Sequence, residues 1–481
     1  MLKKLASRWS GIPVEVKASV SYTVCNILQK SLSFITLPLF TRLLTTEQYG
    51  QYSVYASWSA ILTIFITLYL SSGSFFKAMV KFEDTRQQYL ASVQNISVVL
   101  AIVFLGIYFP FRQHWNRLFE LPTALVVLMV MEILGQFAIT CWYGVKRFEF
   151  KYKGVIAVTL GTSVAMPLVA LLLVLNSDER GYARIFGYAS VSIVVGLVLF
   201  ITGLIRGKGG MNKGFWRFAL GFNIPLIPYY LSQVLFNQSA RIMISHMVGL
   251  DEAGFYSLAQ NLALILTFVL NAINDSYVPW FYGKIKEGKE RENRSVSTGI
   301  AILMAFLLMG IISLAPEFIL IMAGRDYMDA VWIVPPVTMS VLLLFYSQLF
   351  INVEFYFEAK SLLVWGSIGA AVVSVVLNAL LIPVFGYIVA GYTTLISYVA
   401  FAVANYFTMR HLAKKNGFSM EAFDLKALLL LFFVFFALAM LATALYNLPA
   451  VRYAIVVGVL LTVAIMHKRV FAFVNAVLKR K

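Results

Sequence analysis

The sequence predicts an all-α, polytopic membrane protein of about fourteen transmembrane helices, and three observations carry that prediction. Sixty per cent of the 481 residues are hydrophobic and 13% are charged, about half the charged content of a soluble domain, and the mean hydropathy is +0.81. The apolar runs are long enough to cross about 30 Å of hydrocarbon as helices, and their polar positions recur every three or four residues rather than every second one. The basic residues, finally, are sorted by side.

Taken in order, the first series of spans lies near 17–40, 52–74, 91–110, 123–143, 154–175 and 185–205. The second lies near 218–244, 255–279, 296–314, 331–356, 361–382, 389–409, 426–446 and 452–467. With both termini placed in the cytoplasm, 30 of the 39 Lys and Arg residues fall in cytoplasmic segments. Seven fall outside: Arg42, Arg112, Arg117, Arg180, Arg184, Arg325 and Arg452. This is the positive-inside pattern, and it predicts a multi-pass membrane protein with cytoplasmic ends. It also accounts for the net charge of +17 without nucleic acid; membrane lipids with anionic headgroups are the expected partners. Cys25 and Cys141 fall inside spans, so no disulfide framework is expected.

An internal repeat organises the spans. The segment TTEQYGQYSVYAS at 45–57 aligns with GLDEAGFYSLAQN at 249–261, pairing Gly50 with Gly254, Tyr52 with Tyr256 and Ser53 with Ser257 at an offset of 204. Because an even number of helices separates the copies, the repeats run parallel, as in transporters built from two lobes. The expected domains are a six-helix lobe at 1–205, a cytoplasmic linker at 206–217, a second six-helix lobe at 218–410, and two accessory helices with a basic tail at 411–481.

Polar stripes on those helices give the candidate site. Ser19, Thr23, Asn26, Lys30 and Ser33 share one face of helix 1, and Tyr230, Asn237, Arg241 and Ser245 share one face of helix 7. Helix 8 carries Asn261, Asn271 and Asp275 on an equivalent face. Ser and Thr in such stripes can simply be packing contacts. A cation within the membrane is different, because it is costly unless it meets water, a partner or a ligand. Lys30 and Arg241 are the two basic residues that topology leaves unexplained. They point to an anion site in which Arg supplies a bidentate fork and Lys a point charge. Lys30 paired with Glu132, the isolated acid of helix 4, is the structural alternative; for Arg241 it is snorkelling to the interface. Asp275, Glu354, Glu358 and Glu132 are candidates for a gate or for ion coupling, although acids at a helix end near Lys360 read first as a solvated cluster. Pro167, Pro225, Pro228 and Pro383 are candidate helix breaks.

No catalytic constellation stands beside them. The four histidines are dispersed, no His/Cys/acid spacing forms a metal site, and no phosphate-binding glycine loop is present, so no cofactor is expected. No loop exceeds about twenty residues, the scale of a connection rather than of a folded domain.

Pro38 with the run FTRLLTTEQYGQYSVY at 40–55, the stretch APEFILIMAGRDYMDAVWIVPP at 315–336 and LNALLIPVFGYIVAGYTTLISY at 377–398 together resemble polysaccharide flippases of the Wzx type. Their superfamily also holds multidrug exporters and lipid II flippases. The resemblance implies two six-helix lobes with alternating access, and a polyprenyl-diphosphate-linked oligosaccharide as cargo. Capsule, exopolysaccharide or O-antigen-type glycan synthesis, with a glycan polymerase among the partners, would be the setting. A multidrug exporter or a lipid II flippase of the same superfamily is the alternative function. A membrane glycan polymerase would be expected to carry a large outer loop, and none is seen.

Overall fold

A computed structural model describes residues 13–465. The basic residues Lys3, Lys4 and Arg8, His467 and the tail at Lys479, Arg480 and Lys481 lie outside them. Among the described residues the chain is helical throughout, with no strand. Ten segments among the described residues are helices long and apolar enough to cross a membrane by length and composition. This is what lipid demands, since a helix satisfies its backbone polar groups within the segment.

The chain divides into two compact units between Gln238 and Ser239. The first begins with α1 (Val14–Leu43) and α2 (Thr46–Thr67). Thr45 caps α2 through a capping box with Gln48, which satisfies two otherwise orphaned amides. A short helix α3 (Ser74–Lys81) precedes α4 (Arg86–Tyr108), α5 (Arg112–Phe119), α6 (Thr123–Phe148), α7 (Tyr152–Leu175), α8 (Arg180–Arg206) and α9 (Lys213–Asn223). The division falls within α10 (Ile227–Met247).

The second unit continues through α11 (Leu250–Lys286), α12 (Asn293–Ser313), α13 (Ala315–Met322), α14 (Val334–Tyr356), α15 (Lys360–Phe385), α16 (Val389–Asn416), α17 (Leu425–Ala444) and α18 (Pro449–Ile465). The repeat has a structural counterpart. Helix α2 starts at Thr46 and α11 at Leu250, the same offset as the sequence match. Ser53 and Ser257 are both buried, and each hydroxyl donates to the carbonyl four residues back.

Prolines act by position. Pro225 sits in a 3₁₀ turn at Ile224–Leu226 and Pro228 at the second residue of α10, so the run near 218–244 is split into α9 and α10. Pro lacks an amide donor and suits the first turn of a helix. Pro167 and Pro383, in contrast, lie inside continuous helices. The run near 52–74 also ends early: Leu68 and Tyr69 adopt left-handed conformations, which non-glycine residues rarely do, and the chain turns into α3.

Close helix approach is bought by small residues. A Cβ on Gly196 of α8 would strike the backbone of Gly135 on α6, and one on Gly187 would strike the backbone of Ala170 on α7. The segment after α8 is fastened rather than loose: Asn95 donates to the Gly209 carbonyl at 3.2 Å, Asn212 N–H donates to Ser92 Oγ at 3.3 Å, and Trp216 Nε1 donates to the Ser92 carbonyl at 3.1 Å. In the second unit α17 and α18 are tied down similarly. Tyr346 donates to the Leu428 carbonyl at 3.0 Å, Tyr446 to the Ile312 carbonyl at 2.8 Å, and buried Arg452 pairs with Glu317.

Gly196→Leu should therefore unseat α8 from α6 and cost about 3 kcal/mol or more, read as a lower melting temperature in detergent. Gly106→Ala, with open space around its Cβ, should leave melting unchanged. Glu149, just past α6, gives a pH-dependent check. Its partial burial raises the carboxyl's affinity for a proton, but Lys146 at 2.6 Å and Lys151 at 2.9 Å outweigh this and hold it below its usual range. A carboxyl depressed in the folded state contributes stability above its unfolded value, about 4.3; that contribution fades as pH falls through the lower folded value. Melting curves recorded from neutral pH into acid should show this loss in the wild type and not in Glu149→Gln.

Candidate functional site

The candidate residues divide between the two units. Asn26, Lys30, Ser33, Glu132, Tyr230 and Asn237 belong to the first; Arg241, Asn261, Asn271, Asp275, Glu354 and Glu358 belong to the second.

On α1, Asn26, Lys30 and Ser33 are exposed along one face. Ser33 Oγ donates back to the Gln29 carbonyl at 3.1 Å, and Asn237 Nδ2 donates to the Gln233 carbonyl at 2.8 Å. Both keep side-chain hydrogen bonds within their own helix. Tyr230 is half-buried and stacks on Tyr69 with ring centroids 4.6 Å apart and an interplanar angle of 13°. The left-handed turn after α2 thus sets a partner for a residue that the sequence had placed on a stripe alone.

Glu132 takes its hydrogen bond from Tyr55, whose hydroxyl donates at 2.7 Å, rather than from Lys30. The pair lines a cavity of about 130 Å³ together with Tyr52, Ser59 and Tyr188, room for several waters. Beside it stands Arg184. The sequence counts this residue with the outer loops, but the structure buries it, 6% exposed, in the first turns of α8. Its guanidinium lies 3.7 Å from the Tyr52 ring centroid, 4.6 Å from Phe40 and 5.2 Å from Tyr49, while Nε and one terminal nitrogen have no hydrogen-bond partner. Cation–π attraction stands in for the missing acceptors. The sequence signal was present in the tyrosine-rich motif at 49–55, but nothing in it pointed to a cation from α8.

In the second unit Arg241 is half-buried and within electrostatic range of the Tyr256 hydroxyl, which shares a hydrogen bond of 2.9 Å with Thr394 Oγ1. The repeat-paired tyrosines 52 and 256 therefore each lie near an arginine, from different helices. Asn261 is half-buried, while Asn271 and Asp275 are exposed on α11. Glu354 and Glu358, read together as acids at a helix end, part company. Glu358 is exposed beyond α14 in a left-handed conformation. Glu354 is 1% exposed, and among the described residues neither carboxyl oxygen has a hydrogen-bond partner. An unpaired carboxyl group in such surroundings is costly, which sets Glu354 apart from the exposed acids.

Among the described residues no group of three or more His, Cys, Asp or Glu is arranged to hold a metal ion. What the arrangement offers is recognition: separate cations, tyrosines and amides on membrane-spanning helices.

Comparisons with known proteins fit this architecture. The polysaccharide biosynthesis protein family matches residues 16–283. The succinoglycan biosynthesis transport protein ExoT of Rhizobium meliloti is 24% identical over 320 residues, 62% of this chain and 60% of that protein. The chain spans 60% to 67% of the length of the curated relatives it matches. Among solved structures, the lipid II flippase MurJ in an inward closed conformation superposes with a TM-score of 0.58 at 12% identity, covering 91% of this chain and all of that one. An inward-facing multidrug resistance MATE family transporter of the MOP superfamily gives 0.60 at 10% identity, covering 83% and 99%. Identities this low speak to the fold alone.

The Tyr55–Glu132 pair can be tested as a unit. Tyr55→Phe should lower stability by about 1–3 kcal/mol, because it strips a half-buried carboxyl of its donor. Tyr55→Phe combined with Glu132→Leu should cost less than the sum of the two single changes. Melting temperatures of the four proteins in detergent complete the cycle.

Proposed function

We propose that this chain, which belongs to the polysaccharide biosynthesis protein family, is a flippase that carries a polyprenyl-diphosphate-linked oligosaccharide from the cytoplasmic to the outer leaflet of the bacterial inner membrane. The observation that carries this reading is the family match over residues 16–283, on a fold shared with a lipid II flippase. The name of the ExoT relative, a succinoglycan biosynthesis transport protein, supports the same class of cargo. Alternating access, cytoplasmic termini and service to a capsule, exopolysaccharide or O-antigen pathway belong to the proposal.

The chemistry of the candidate residues suits such cargo. A diphosphate needs cations in a place of low dielectric, and Lys30 and Arg241 are the two whose depth requires a ligand, a partner or water. Sugar hydroxyls suit the amides of Asn26, Asn237, Asn261 and Asn271, the hydroxyl of Ser33 and the ring and hydroxyl of Tyr230, while the lipid tail can remain in the bilayer. Asp275, Glu132, Glu354 and Glu358 are the acids through which a gate or a coupling ion would act, and buried Glu354 is the strongest of the four. A lipid II flippase is the second reading, favoured by the 91% coverage of this chain in the superposition with MurJ.

Lys30→Ala and Arg241→Ala should each reduce surface-polysaccharide export about ten-fold or more, as the loss of one charge-assisted hydrogen bond implies, while the protein stays in the membrane. Export in a deletion strain carrying each variant measures this. Normal export in both single variants and in the double variant refutes the anion site. Rescue of a strain lacking its lipid II flippase, without an effect on export, selects the second reading.

A further inference from the structure

Helix α3 follows the long span of α2 and helix α9 opens the apolar segment Lys213–Met247, both at the end that the charge bias reads as cytoplasmic, and they are joined by an uncommon contact. Lys77 Nζ sits 4.8 Å from the ring centroid of Phe222, and Lys81 Nζ sits 4.9 Å from that of Phe218, with Phe82 at 5.4 Å. The two lysines are four residues apart on α3 and the two phenylalanines four apart on α9, so the helices meet antiparallel, each ammonium seated on a different α9 ring. Side chains at this spacing stand about 6 Å apart on one face. The seats restrain two chains that would otherwise be among the most mobile in the protein, so their charges are positioned rather than merely present.

The pair of helices is rigid beneath these lysines. Asn223, fully buried at the end of α9, donates through Nδ2 to Ser74 Oγ at the start of α3. Gly73, with φ of +44°, lets the chain pass so close to Asn223 and Tyr230 that a Cβ would meet both side chains. The stacked tyrosines 69 and 230 adjoin this corner. On α9, Lys213 and Arg217 are exposed one turn apart. Among the described residues none of these four cations has a carboxylate partner; the nearest acid in sequence, Glu83, is taken by Arg86 at 3.2 Å, and Asp84 is exposed beyond it. Phe76 and Val80, 52% and 67% exposed on α3, give the surface an apolar edge of the kind that lies at the headgroup boundary.

We propose that α3 and α9 form a docking platform for a diphosphate headgroup presented by a membrane lipid, with Lys77 and Lys81 as its two principal contacts. Two fixed cations one helical turn apart suit two linked phosphates better than a single phosphodiester. The adjoining Tyr69–Tyr230 stack offers an aromatic face to a sugar attached to the second phosphate. The headgroup's identity as that of the flippase cargo rests on the function proposed above; the diphosphate chemistry does not.

The test is binding of farnesyl diphosphate to the purified full-length chain in nanodiscs, followed by isothermal calorimetry. Lys77→Ala/Lys81→Ala should weaken binding about ten-fold or more, and Phe218→Leu/Phe222→Leu several-fold with every charge retained. Lys77→Arg/Lys81→Arg should bind nearly as the wild type does, and melting temperatures establish that each variant is folded. The dependence on Lys77 and Lys81 should persist in a Lys30→Ala/Arg241→Ala background. Wild-type affinity in the double alanine variant overturns the platform and leaves the flippase reading untouched. Equal competition by farnesyl monophosphate or by phosphatidylglycerol also overturns it, marking the surface as a general anionic-lipid patch. Intact, lysine-dependent diphosphate binding in a protein that supports no polysaccharide export upholds the platform and overturns the flippase reading.

Discussion

In hydrocarbon a polar group that finds no partner inside the protein finds none at all, and this constraint shapes the molecule at every level. It makes the backbone helical throughout the described residues. It turns serine and threonine hydroxyls back onto their own helices, as at Ser53, Thr63, Ser257 and Ser397. It also makes each buried charge an event that needs a local reason. Arg452 has Glu317, Lys146 has Glu149, and Arg184 has aromatic faces in place of acceptors. Among the described residues Glu354 has no hydrogen-bond partner, and for that reason it stands apart from the other acids.

The same constraint explains how much the sequence disclosed. Long apolar runs and the sorting of Lys and Arg by side report directly on the solvent each segment sees, so the all-α membrane class and the order of the spans were legible. The repeat was legible because Gly50, Ser53 and their counterparts Gly254 and Ser257 are buried at equivalent places in α2 and α11. Pro225 and Pro228 were flagged as candidate breaks, but the sequence did not distinguish them from Pro167 and Pro383. That difference is one of position: Pro225 and Pro228 fall in first turns, where no amide donor is needed, and Pro167 and Pro383 fall inside helices.

The side-chain partners were less legible, because they join residues far apart in the chain. Nothing at Tyr55 announces Glu132, seventy-seven residues away, and nothing at Phe40 announces Arg184. Periodicity assigns a residue to a face without saying what that face meets. Asn237 illustrates the limit: its stripe suggested a ligand contact, and its amide hydrogen is given to Gln233 one turn back. Short helices were also hidden, since eight residues of α3 are too few to show a period distinct from the loop around them.

The fastening of residues 207–216 to α4 has a practical meaning for how such a chain is taken apart. By composition the segment between the sixth and seventh spans, rich in glycine and basic residues, is where an engineer would place an affinity tag, a protease site or a break for expression in two pieces. Asn95, Ser92 and Ala91 hold that segment against α4, and it leads directly into α9, which packs within the first unit. An insertion there would load a structural seam. The turn at Glu287–Lys289, where Gly288 adopts a left-handed conformation with open space around it, is the gentler place to cut or extend the chain.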